Sequence, residues 1–205
     1  MGLEKLTGIV LEMATLSENT VNDAIEAYMQ GEDVNDEVFA KSERLAALQD
    51  DANDLATEII ARYQPVASDL RFITSAMEIS YGFSRLGRYA YDIAGILSLY
   101  KDLSGCDKTD VSLAGKQATD MIHLSIKAFT ERDVLMAGRL KTMDNVVDDI
   151  YRNYLKKLTK QTPSDVKCYI SGTLVLRYLE RIADHAEDVG EAVVYTVTGK
   201  RASKK

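Results

Sequence analysis

Apolar residues recur at three- and four-residue spacing along nearly the whole chain, so the pattern predicts helices throughout. The breaks fall at recognisable signals and divide the pattern into six helices. The first runs from about Leu3 to Met29 and ends at Gly31; the second starts after Asn35 or Asp36 and runs to about Tyr63. The third is expected to open at Pro65, whose fixed φ and missing N–H suit a first helical turn, and to continue to about Tyr100. KDLSGCDKT, residues 101–109, is rich in turn formers and divides the chain nearly in half. Beyond it come helices at about Asp110 to Glu131, Val134 to Lys160, and Pro163 to Thr198. For the last of these, Thr162 is the expected N-cap, with Asp165 at the third position and Gly199 closing the far end.

Each half is therefore a three-helix unit, 1–100 and 110–199, followed by a basic tail over 200–205. Short connections make consecutive helices antiparallel neighbours. The halves also match residue by residue. With a shift of 96, Asp69-Leu70-Arg71 meets Asp165-Val166-Lys167, and Ser84-Arg85-Leu86-Gly87-Arg88 meets Glu180-Arg181-Ile182-Ala183-Asp184. With a shift of 95, Arg44-Leu45 meets Arg139-Leu140 and Leu48-Gln49 meets Met143-Asp144. A period this long means two similar bundles rather than a solenoid. Each bundle alone is near the size at which a single core is marginal, so the two are expected to pack together.

Composition supports the all-α reading: the chain has 205 residues, only 2 Pro, and abundant Ala, Leu, Glu, Lys and Met. The net charge of -7 argues against a general binder of nucleic acid or of anionic membranes, which would need a basic surface. No window approaches 18 uncharged apolar residues, so work at a membrane would go through a partner. Cys106 and Cys168 have no CxxC spacing and no neighbouring His, which suggests neither a zinc site nor a disulfide; reduced thiols in the cytoplasm are expected.

The candidate chemistry is acidic. In the last helix Glu180, Asp184, Glu187 and Glu191 form a stripe about a quarter-turn from the core positions Leu176, Leu179, Ala183, Ala186 and Val193. In the fifth helix Asp144 and Asp148 stand at the same offset from Met143, Val147, Ile150 and Tyr154. Acids at i and i+4 repel, with no basic residue between them on that face, and this occurs twice in one repeat. A site for hard or borderline cations would make the clustering favourable.

Three stretches, QPVASDLR (64–71), FSRLGRYAYDI (83–93) and LERIADHAEDVGEAVVYTVTG (179–199), make the chain resemble the PhoU proteins of phosphate regulation over essentially its whole length. The resemblance implies two similar three-helix bundles and an E/DxxxD motif on the second and third helix of each repeat, where acids gather iron or other metal ions. The second repeat matches twice, at Asp144 with Asp148 and at Glu180 with Asp184. The first departs twice, with Gln49 and Asn53, then Ser84 and Arg88, and Arg88 puts a permanent positive charge where a ligand should be. One metal site is therefore expected, at Asp144, Asp148, Glu180 and Asp184, holding iron or alternatively zinc, manganese or magnesium. The resemblance further implies a cytoplasmic, non-enzymatic regulator. It would bind the ATPase subunit of a phosphate ABC transporter and a sensor histidine kinase, repress uptake or signalling, and pair as a homodimer.

Two other functions fit the same acids: a metal-storing or redox-active carboxylate protein, and a regulator of a different ion transporter or channel. Asp120 and His123 have the spacing of a carboxylate–His metal pair, but with 2 His in the chain a boundary packing role is expected for His123 and an aromatic-type packing role for His185. Arg71, Arg85 and Arg181 should pair with Asp69, Asp92 and Asp188 along helix flanks. Tyr63, Tyr81, Tyr89, Tyr91 and Tyr100 suggest core or interface. No P-loop, dinucleotide loop or GxSxG motif points to catalysis.

Overall fold

A computed structural model describes residues 2–160 and 165–201. Its helices are α1 (Gly2–Gln30), α2 (Asn35–Tyr63), α3 (Ala67–Tyr100), α4 (Thr109–Glu131), α5 (Val134–Leu158) and α6 (Val166–Thr198). They form two layers. One is the row α2, α3, α6, α5, each helix packed on the next; the other is α1 beside α4, lying across the row and closing the core. The two repeats meet through like helices running antiparallel. Along α3 and α6, Arg71 lies beside Gly199, Gly82 beside Val189, and Tyr89 stacks on Tyr178. Along α1 and α4, Ile25 packs on Gly115 and Thr119 donates to Asn22 at 2.8 Å. One continuous core results, with Tyr28, Phe83, Met121 and Ile122 among its fully buried side chains.

Local chemistry sets the helix ends. Asp133 caps α5, its carboxylate accepting from the N–H groups of Leu135 at 2.7 Å and Met136 at 3.0 Å. The third helix begins at Ala67 rather than Pro65. The residue before a proline is kept out of the right-handed helical region, so Gln64 turns left-handed (φ 47°) and caps α2, Val66 is extended, and the helix restarts only afterwards. The last helix likewise begins at Val166, not Pro163. Asp165 is its N-cap rather than its third position, accepting from Lys167 N at 2.9 Å; Thr162 and Pro163 lie outside the described residues.

The two cysteines are not free thiols. Cys106 and Cys168 form a disulfide, with Cα atoms 5.2 Å apart and 62 residues apart in sequence. The first turn of α6 folds back beside the connector between the repeats, where Lys167 Nζ also donates to the carbonyl of Asp102. On its other side the connector is held by Lys108, which donates to the carbonyls of Tyr28 (2.7 Å) and Met29 (3.1 Å) at the C-terminus of α1.

Glycine has a packing role at Gly190, where α6 crosses α5. A Cβ there would stand 2.5 Å from Leu140 Cδ1 and 3.1 Å from the Ala137 carbonyl oxygen. This close approach is what brings the acidic flanks of the two helices together.

Candidate metal centre

The two acid pairs converge on one groove. Asp144 and Asp148 project from α5, Glu180 and Asp184 from α6, all half-buried along the seam between these helices. A fifth acid joins them: Glu187, one turn beyond Asp184, shares a hydrogen bond with Asp144 that requires a proton on one of the two. Glu187 belongs to the acidic stripe of α6 legible in the sequence, but its register against Asp144 depends on how far α5 slides along α6, which periodicity does not give.

Burial, then the charges of Asp184, Glu187 and Asp148, push the Asp144 carboxyl up to about 7. Its Oδ1 is buried without a hydrogen-bond partner. Glu180 and Asp184 are also raised, in both cases first by burial. Asp184 adds to the rise at Glu180 and Asp148 to the rise at Asp184, against the lowering effect of nearby arginines.

Those arginines correct the expectation that no basic residue lies on the acidic face. Arg177 donates to both oxygens of Glu180 (2.7 and 2.6 Å), Arg181 reaches Asp184 at 3.2 Å, Arg152 reaches Asp148 at 2.5 Å, and Lys141 lies 3.6 Å from Glu187. The three arginines sit at i−3 or i+4 of their acids, so the pairing was available in the sequence. Arg181 thus pairs with Asp184 rather than Asp188. Arg85 pairs with the hydroxyl of Tyr89 at 2.9 Å, and Arg71 has a buried Nε without a partner.

The residues fit a hard cation in kind: five carboxylates on one groove, one with an orphaned buried oxygen and a strongly disfavoured negative charge. With four of the acids turned to Arg or Lys, no three His, Cys, Asp or Glu side chains among the described residues are gathered as a group that could hold an ion. An ion held here would require these carboxylates to exchange their basic partners for it.

The equivalent place in the first repeat differs in charge. Arg88 approaches Asp92 (3.8 Å) and lies over the ring of Tyr91, 5.3 Å from its centroid, on the surface that Asp184 occupies in the second repeat. His123 is exposed and 3.1 Å from Glu18, a surface contact rather than a packing one. His185 packs among aromatics as expected, stacked on Tyr89 (5.8 Å) and edge-on to Tyr81 (6.0 Å). The tyrosines do not form one face: Tyr89, Tyr91 and Tyr100 pack on the core, while Tyr63 and Tyr81 are exposed.

Fold and groove together define a class, a duplicated three-helix bundle whose distinctive chemistry is a carboxylate seam on one repeat. No described helix is long and apolar enough to cross a membrane. The PhoU domain family model matches residues 10–97 and 111–193, and the chain belongs to that family. It is 31% identical to a phosphate-specific transport system accessory protein PhoU homolog of Clostridium acetobutylicum, over 97% of this chain and 94% of that protein. A homolog of the same description from Pseudomonas putida is 30% identical over 96% of this chain and 79% of that one. Among solved structures, PhoU from Pseudomonas aeruginosa superimposes with a TM-score of 0.89 at 28% identity, over 97% of this chain and 98% of that one. The phosphate transport system regulatory protein PhoU from Streptococcus pneumoniae, at 21% identity and a TM-score of 0.88, shares the fold.

Proposed function

We propose that this protein is a regulatory accessory protein of phosphate uptake, acting at the cytoplasmic face by binding a phosphate ABC transporter through its ATPase subunit, with a sensor histidine kinase as a second partner. The observation that carries this reading is full-length similarity to phosphate-specific transport accessory proteins, 97% of one chain against 94% of the other, with the acidic seam built into the same fold. The action is contact rather than chemistry.

Asp144, Asp148, Glu180 and Asp184 would hold a metal ion, iron or another hard or borderline cation, with Glu187 as a further donor. The ion would supply positive charge to a groove where the carboxylates now crowd one another. The side chains prepare that exchange: Asp144 retains a proton near neutral pH, and Arg152, Arg177 and Arg181 hold the other acids along the outer flanks. Binding requires deprotonated ligands, so loading would release a proton from the Asp144–Glu187 pair.

Purification of the tagged protein from cells grown in high and in low phosphate tests the partner. The ATPase subunit of a phosphate transporter should co-purify in high phosphate; its absence under both conditions would overturn the reading.

A further inference from the structure

A cleft of about 720 Å³ opens across α2, α3 and α6 on the outer face of the four-helix row. On its α2 wall stand Gln49 and Asn53, the residues that align with Asp144 and Asp148 of α5. The charges have been exchanged for neutral amides, which donate and accept hydrogen bonds but bind hard cations poorly. The rest of the lining carries Glu78 from α3 and Asp188 and Glu191 from α6, with His185 3.5 Å from Asp188 and the half-exposed ring of Tyr81 on the same cleft.

One basic group already sits in this cleft. Arg201, just beyond the C-terminal cap of α6, donates from Nη2 to Glu78 Oε1 at 3.1 Å and lays its guanidinium over the ring of Tyr195, 4.7 Å from the centroid. A carboxylate and an aromatic face at right reach of one guanidinium are the two elements of arginine recognition. The rest of the cleft extends beyond Arg201 toward Asp188, Gln49 and Asn53. Its carboxylates disfavour nucleotides, phosphate and anionic lipid, and a volume of about 720 Å³ exceeds what one side chain fills.

We propose that this cleft is a docking groove for an arginine-bearing segment of a partner protein, and that Arg201 fills one position of it in the free chain as an internal competitor. The proposal names the kind of segment a regulatory partner would present and rests on that reading only for its biological setting. The groove itself stands on its own geometry.

The test is an NMR titration of the isotope-labelled full-length protein with the acetylated peptide GKRASKK, whose sequence is that of residues 199–205, and with the same peptide carrying Ala in place of Arg. The side-chain amides of Gln49 and Asn53 are the reporters. The Arg peptide should shift them, the Ala peptide should bind about tenfold more weakly, and Arg201→Ala should tighten the Arg peptide by a similar factor. Glu78→Gln should weaken it. Equal binding of the two peptides, or shifts confined to Asp144, Asp184 and their neighbours on the α5–α6 seam, would show mere charge attraction and overturn the proposal. No shift with the Arg201→Ala protein at millimolar peptide would overturn it as well. Loss of transporter co-purification with peptide binding intact would instead strike at the regulatory reading alone.

Discussion

Substituting Gly190 with Val is expected to lower stability by about 3 kcal/mol, because the new side chain has no room and nothing soft enough to yield. Its Cβ alone would stand 2.5 Å from Leu140 Cδ1, and behind that lie backbone atoms of α5, the Ala137 oxygen at 3.1 Å and Cα at 3.6 Å. A leucine tip can rotate away; a helix backbone moves only as a body. Relief therefore means pushing α5 off α6, which unpacks Ala137 and Leu140 and spreads the carboxylate seam. In a chain of this size the loss corresponds to a fall in Tm of about 6–12 °C. Gly138 on α5 is the control. A Cβ there meets nothing within 4 Å, so Gly138→Ala should gain up to about 1 kcal/mol through helix propensity. Thermal unfolding of both variants separates packing from backbone entropy. Similar effects at the two sites would mean that the α5–α6 crossing is looser than described.

The second large effect is a pH dependence centred on Asp144. In the chelator-treated protein this carboxyl keeps its proton up to about 7, whereas in the unfolded chain it loses it near 3.8. Between those values the folded state binds more protons than the unfolded, so stability falls as pH rises. Below about 4 both states are protonated and the penalty vanishes; above about 7 it is fully present. Complete transfer of the shift into stability would be worth about 4 kcal/mol, and with the group only half-buried, solvent screening brings it to about 2 kcal/mol. Asp144→Asn removes the charge and keeps a donor toward Glu187. Its denaturation midpoint should be flatter between pH 4 and pH 8 than that of the parent, and the variant should be the more stable by about 2 kcal/mol at pH 8. Parallel pH profiles would show that Asp144 ionises without strain.

The fold was legible because two independent signals agreed: helical periodicity broken only at recognisable turn and cap signals, and a duplication that placed six helices in two equivalent sets. The seam was legible in part, since acids at matching offsets on two antiparallel neighbours had to converge or diverge together, and the structure shows them converging. What periodicity could not supply was register. Glu187 faces Asp144 because of how α5 slides along α6 at Gly190. The disulfide was invisible for a related reason: Cys106 and Cys168 are far apart in sequence, and only the return of α6 to the connector brings them together. The arginine partners of the acids, at i−3 or i+4, are legible in the sequence as well, on the flank adjoining the acidic stripe. At Pro65 the rule for a first helical turn lost to the restriction that proline imposes on Gln64.

The two repeats are asymmetric in charge. Two copies of one helical unit keep the same bundle, yet only the second keeps acids at the positions where the first has Gln49, Asn53, Ser84 and Arg88. Metal content per chain, measured on the parent protein and on Asp184→Ala and Arg88→Ala after equilibration with iron or manganese and removal of free ion, tests this most directly. Metal bound to the parent, lost in Asp184→Ala and unchanged in Arg88→Ala, is the predicted result; content unaltered by Asp184→Ala would contradict it.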